Sequence, residues 1–178
     1  MTIDTLRSRM PEYAKDIKLN LGRVLAADGT DGLTPVQSKG VGLASAYATK
    51  NDTVIDAITQ EINGDLPHEA ISAAKAAATI MGMNNVYYRF IHLVNDADYA
   101  TMPANVRMNI IANPGIEKSD FELMSLGVSA INGCGMCIEA HVAEVTKAGI
   151  SRQGVQTTIR IAAVLNAAAQ ALRIESHC

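Results

Sequence analysis

Residues 119–149 decide the fold: Ser119-Asp120-Phe121-Glu122-Leu123-Met124-Ser125-Leu126-Gly127-Val128-Ser129-Ala130-Ile131-Asn132-Gly133-Cys134-Gly135-Met136-Cys137-Ile138-Glu139-Ala140-His141, continuing to Lys147-Ala148-Gly149. Ser119 followed three residues later by Glu122 fits a capping box, so a helix is predicted from there to about Ile131. A second helix is predicted from Cys134 to Ala148, with Gly149 as its C-terminal signal. Residues three and four apart share a helix face, so Cys134, Cys137 and His141 can form one cluster.

Working outward, the rest of the chain carries the same signals. Pro11 opens a run with Tyr13, Ile17, Leu21, Val24 and Leu25 at helical spacing, closed by Asp28-Gly29. Thr34-Pro35-Val36-Gln37 combines an N-cap, a proline at the first helical position and a capping-box glutamine, opening a helix to about Thr49. Asp52 caps another, with Val54, Ile55, Ile58 and Ile62 inward and Gly64 as its stop. Pro67-His68-Glu69 starts an alanine-rich helix ending near Gly82, and Val86 to Val94 gives a further one. A helix from about Pro103 to Ile111 stops at Asn113-Pro114-Gly115. Ser151 caps a last long helix carrying Val155, Ile159, Ala162, Ala163, Leu165, Ala169 and Leu172. No segment alternates with period two, so the expected class is all-α without significant sheet.

At 178 residues the chain suits a single domain, 1–178, in which folding buries roughly 70% of the unfolded surface. A shift of 53 aligns Glu69 with Glu122, Ser72 with Ser125, Ala77 with Ala130, Gly82 with Gly135 and Met83 with Met136. Met81-Gly82-Met83-Asn84 thereby overlays Cys134-Gly135-Met136-Cys137, and Tyr88 falls opposite His141. This weak echo implies two related helical halves, about 67–95 and 120–148, of which only the second carries thiols.

A formal charge of -3 offers no basic field for nucleic acid. No stretch approaches the ~20 apolar residues of a membrane span, and no opening segment reads as a signal peptide. Three cysteines are too few for a disulfide-stapled secreted scaffold. The expected address is cytoplasmic.

Unpaired N–H groups at a helix start attract negative charge, and a thiol there is drawn below its ordinary value of ~8.5. A second thiol one turn away can capture a sulfenic acid or a mixed disulfide. A redox centre is therefore the leading reading. Cys134 is nearer the helix start, whereas Cys137 has His141 one turn below it as a base; the spacing alone leaves the attacking sulfur open. A zinc site is the competing use of these thiols, but structural zinc takes four ligands and would have to recruit His177 or Cys178. Two ordinary buried thiols are the third reading, and Cys178 otherwise reads as incidental on a frayed end. Glu122 could simply complete the capping box with Ser119. His141 could be a core histidine, although its place beside Cys137 favours function. His68 and His92 read as structural, and Met81, Met83, Met102, Met108 and Met124 as core filler.

Phe121-Glu122-Leu123-Met124-Ser125, Val128 to Cys134, Cys137 and Ala140-His141 together resemble the AhpD alkyl hydroperoxidases of the carboxymuconolactone decarboxylase-like superfamily. The likeness extends to chain length, to the opening Met1-Thr2-Ile3-Asp4 with Leu6, and to the duplicated halves. It implies an all-helical subunit in a homo-oligomer, commonly a trimer, and a Cys134–Cys137 disulfide in the oxidised state. It also implies an antioxidant role, reducing hydroperoxides and recycling the oxidised cysteines of an AhpC-type peroxiredoxin. By the same resemblance Cys137 is the peroxidatic cysteine, passing through a sulfenic acid and through the mixed disulfide with the peroxiredoxin. Cys134 is the proton donor and resolving thiol, and Glu122 and His141 form a proton relay. No bound cofactor is implied. Electrons come from lipoyl groups on a dihydrolipoamide acyltransferase, kept reduced by lipoamide dehydrogenase. One departure is Met136, which stands where the family pattern has a second histidine. A non-redox decarboxylase-like enzyme of the superfamily is the further alternative, but such an enzyme does not need a dithiol.

Overall fold

Local start signals hold wherever apolar residues follow them into the core. Thr34 Oγ1 accepts from the Gln37 N–H at 3.2 Å and the Gln37 side chain accepts from the Thr34 N–H at 2.9 Å, so the expected capping box is formed. The computed structural model describes residues 1–176; the readings placed on His177 and Cys178 lie outside the described residues. Among those residues every regular element is an α-helix or a 3-10 turn, and no strand occurs. The helices are α1 (Ile3–Ser8), α2 (Lys15–Leu21), α3 (Pro35–Thr49), α4 (Asp52–Glu61), α5 (His68–Leu93), α6 (Ala97–Thr101), α7 (Asn109–Ala112), α8 (Lys118–Asn132), α9 (Gly135–Lys147) and α10 (Arg152–Glu175).

Helix α8 is the axis of the bundle, packed against α3, α5, α9 and α10. All nine residues from Phe121 to Ser129 are buried, as expected of a helix surrounded by others. Gly127 permits the close approach of α3: a methyl there would lie 2.8 Å from Ser45 Oγ. Phe121, Leu123, Leu126 and Leu165 are fully enclosed. Each such side chain contributes about 1.5–3 kcal/mol by leaving water. Ser151 caps α10 as predicted, accepting from the Gly154 N–H. The buried stripe on α10 runs through Thr157, Thr158, Ile161 and Leu165, and Ile159 and Ala163 lie off it.

Several expectations are corrected. Helix α5 is continuous through Gly82, because the glycine costs only about 1 kcal/mol of propensity while Ala77, Met81, Asn84 and Asn85 are buried on either side of it. The run after Pro11 is broken into a 3-10 turn, Glu12–Ala14, and the short α2. Tyr13, the first apolar residue of that run, is 63% exposed. Asn51, not Asp52, caps α4. The helix predicted from Pro103 to Ile111 is reduced to α7, with α6 before it. No residue from 94 to 117 is buried, so that segment lacks the packing that holds a long helix of marginal propensity.

The capping box at Ser119 is not formed. Helix α8 starts two residues earlier, Glu117 is its N-cap without a side-chain bond, and Glu122 turns instead toward α9.

Candidate active site

The connection between α8 and α9 is a two-residue reversal. Gly133 adopts φ 69° and its N–H reaches the Ala130 carbonyl, while the Cys134 N–H reaches back to the Ser129 carbonyl at 3.2 Å. This is the Schellman pattern, and it needs a residue that tolerates the left-handed region at its C′ position. Cys134 then becomes the N-cap of α9, its Sγ accepting from the Cys137 N–H at 3.3 Å. The start of that helix therefore lies one residue later than predicted. Cys134 and Cys137 are disulfide-bonded, with their Cα atoms 5.3 Å apart.

One turn after Cys137, His141 is held from both sides. Its Nδ1 lies 2.6 Å from Glu122 Oε2, and its Nε2 lies 3.3 Å from Met81 Sδ on α5. Glu122 and His141 are both buried, at 4% and 8% exposure. A carboxyl in the middle of α8 is costly to bury without a partner, and His141 is the partner this fold supplies. An ionised carboxylate only accepts hydrogen bonds, so with Glu122 ionised the proton of a neutral imidazole sits on Nδ1. That leaves the lone pair on Nε2, the nitrogen in contact with Met81 Sδ on the side away from α8.

Cys137 and His141 line one cavity of about 230 Å³ with Met81, Asn84 and Tyr88 of α5, Met108, Ile111 of α7, and Met136 and Ala140 of α9. Its wall is apolar apart from Asn84, the Tyr88 hydroxyl and the imidazole. Cys134 is fully buried and does not line the cavity, so Cys137 is the sulfur that faces it. On the other side, Glu122 borders a second cleft with Lys118, Ser119, Glu144 and Lys147. Lys118 and Glu144 pair across its mouth at 2.8 Å, which raises the lysine pKa and lowers that of the carboxyl above their ordinary and below their ordinary values respectively. Among the described residues, no three His, Cys, Asp or Glu side chains converge to hold a metal ion.

The four residues singled out from the sequence thus converge, and what the sequence reading missed is the α5 wall. Met81 and Met108 were expected as filler; Met81 is core, but it also touches the imidazole. The signal was present in the shift of 53, which pairs Met81, Asn84 and Tyr88 with Cys134, Cys137 and His141.

The model of the Carboxymuconolactone decarboxylase family matches residues 97–174, the stretch that holds the disulfide, His141 and Glu122. The chain is 55% identical over 174 residues to alkyl hydroperoxide reductase AhpD of Coxiella burnetii (strain RSA 493 / Nine Mile phase I), covering 98% of each chain. Proteins of the same name from Rhodospirillum centenum (53% identity, 99% of this chain, 93% of the relative) and Brucella abortus (52%, 97% of each) are similarly close. The chain belongs to the AhpD family.

Proposed function

We propose that this chain is a dithiol-dependent alkyl hydroperoxide reductase whose reacting sulfur is Cys137. The observation that carries the reading is a bridge-forming cysteine pair with one sulfur on an apolar cavity beside a carboxylate-held imidazole. In the reduced protein His141, oriented by Glu122, takes the Cys137 proton. The thiolate attacks the terminal oxygen of a hydroperoxide, the O–O bond breaks, and Cys137 becomes a sulfenic acid. Cys134 gives its proton to the departing alkoxide and then displaces hydroxide from the sulfenic sulfur. The hydroxide leaves as water with the proton held by His141, so the dithiol and hydroperoxide become disulfide, alcohol and water. A dihydrolipoyl dithiol reopens the bridge by exchange and is itself oxidised to the cyclic disulfide. With an oxidised AhpC-type peroxiredoxin as substrate, Cys137 attacks that protein's disulfide and passes through a mixed disulfide. Met136 supplies no proton at neutral pH, so the relay here runs through Glu122 and His141 alone.

A homo-oligomer, commonly a trimer in this family, belongs to the same reading. Val86, Phe90 and Leu93 are 60%, 47% and 69% exposed along one face of α5, continuous with a segment in which nothing is buried. Apolar surface of this kind marks an interface. The two related halves, 67–95 and 120–148, are supported by two of the paired positions, Asn84 with Cys137 and Tyr88 with His141, which line one cavity. No helix among the described residues is long and apolar enough to cross a membrane, and a cytoplasmic address suits a dithiol kept reduced by lipoyl groups.

Thiol titration tests the reading directly. Two thiols lost on one equivalent of tert-butyl hydroperoxide, and regained with dihydrolipoamide, are expected. A reduced protein that loses no two hydrogens on peroxide treatment would leave the non-redox decarboxylase-like alternative, and stoichiometric zinc in purified protein would leave the metal site.

A further inference from the structure

Helix α5 carries two adjacent asparagines with different fates. Asn85 is fully engaged inside the protein: its Nδ2 donates to Ser129 Oγ and its Oδ1 accepts from Asn132 Nδ2, both at 2.9 Å. Asn84 is equally buried, at 4% exposure, but its Oδ1 has no hydrogen-bond partner. A buried polar atom in that condition costs about 1–3 kcal/mol. Ser45 Oγ and Ser125 Oγ are the other buried side-chain atoms in this condition among the described residues, and neither lines the cavity. Asn84 does, on the same face of α5 as Met81, which touches His141, and Tyr88.

We infer that Asn84 orients the hydroperoxide, its side-chain carbonyl accepting the O–H of the terminal peroxide oxygen. This rests on the hydroperoxide-reductase reading above. A hydroperoxide has one donor, and it sits on the atom the Cys137 thiolate must strike. Asn84 and Cys137 line the same cavity, whose remaining wall is methionine, isoleucine and alanine side chains with the Tyr88 ring and the His141 imidazole. Asn84 Oδ1 is itself covered, and rotation of the amide about its last side-chain torsion brings it to the cavity, where it holds that oxygen near the sulfur and leaves the alkyl group to the apolar wall. The terminal oxygen keeps its proton as it moves to sulfur, so Asn84 exchanges neither proton nor electron. Disulfide exchange with a lipoyl thiolate has no O–H to place and does not need it.

Asn84→Leu and Asn84→Ala separate these steps, the second guarding against a steric effect of the first. Misplacing a reacting atom by about an ångström costs on the order of 10²-fold. Oxidation of the reduced variants by tert-butyl hydroperoxide is therefore expected to be roughly 10–100-fold slower. Reopening of the bridge by dihydrolipoamide, and alkylation of Cys137 by iodoacetamide, should stay at wild-type rates. Wild-type oxidation rates in both variants overturn the inference. So does a parallel fall in oxidation and alkylation, which would make Asn84 act on the thiol, or in all three reactions, which would make it a packing residue. A wild-type dithiol that hydroperoxide does not oxidise removes the underlying reading itself, a result distinct from either.

Discussion

Replacing Glu122 by glutamine isolates the charge of the proposed relay. The carboxylate contacts His141 Nδ1 at 2.6 Å, with the two side chains 5% and 10% exposed, so solvent cannot substitute for it. A hydrogen bond to a charged partner contributes about 1.5–3 kcal/mol and a neutral one about 0.5–1.5. The imidazolium formed when Cys137 gives up its proton therefore loses about 1–1.5 kcal/mol of support, and ~1.36 kcal/mol is tenfold in rate. Oxidation should slow about tenfold. If the glutamine amide instead donates to Nδ1, the lone pair at Nε2 is lost and the rate falls toward that of a protein with no base, ~10²–10⁴-fold down. Glutamine matches the volume of glutamate and carries no charge to bury, so the variant should be at least as stable as the wild type. The assay is loss of free thiol in reduced protein after mixing with tert-butyl hydroperoxide, paired with thermal unfolding. An unchanged oxidation rate refutes the relay. A variant that is slow and also markedly less stable makes Glu122 a structural counter-ion to His141.

His141→Phe should slow thiol oxidation by about 10²–10⁴-fold with the helical content unchanged by circular dichroism; a rate near wild type would remove the base from the scheme. Reducing the Cys134–Cys137 bridge should cost no more than about 2 kcal/mol, because so short a loop constrains the unfolded chain little. That corresponds to a fall of roughly 4–8 °C in melting temperature, checked by scanning with and without reductant; collapse of the fold would contradict a cycling dithiol. Gly127→Ala should destabilise by about 1–3 kcal/mol through the contact with Ser45, measured by urea unfolding, and a neutral result would mean that α3 and α8 can part without cost. Glu144, its carboxyl pKa lowered from 4.5 by Lys118, contributes stability above that value that is lost as pH falls through the lowered one. The pair is exposed, so the difference between wild type and Glu144→Gln should be small, vanish in acid and shrink in high salt.

Features that depend on near neighbours in the chain were legible in the residues. Cys137 and His141 lie four apart, and helix geometry alone sets them on one face, with Cys134 capping the same helix three residues before Cys137. Thr34 and Ser151 cap as their spacing demands. Local rules failed where packing opposed or withheld support. Gly82 does not stop α5, because buried residues on both sides hold the helix. The run after Pro103 does not form its helix, because nothing around it is buried. Glu122 is the most instructive case: a capping-box glutamate and one that turns to a histidine on the next helix have the same local signature at Ser119-Asp120-Phe121-Glu122.

Sequence by itself therefore determined the helical class, the cysteine pair and the histidine beside it, since helix periodicity is an interaction over a few residues. Tertiary structure alone decided that Glu122 faces His141, 19 residues away, and that Met81 reaches the same imidazole from 60 residues away. It also decided that Asn84 opens on the cavity while Asn85 does not. Those choices belong to the burial of α8 among its neighbours, which fixes the rotation of each helix about its own axis and so which side chains meet.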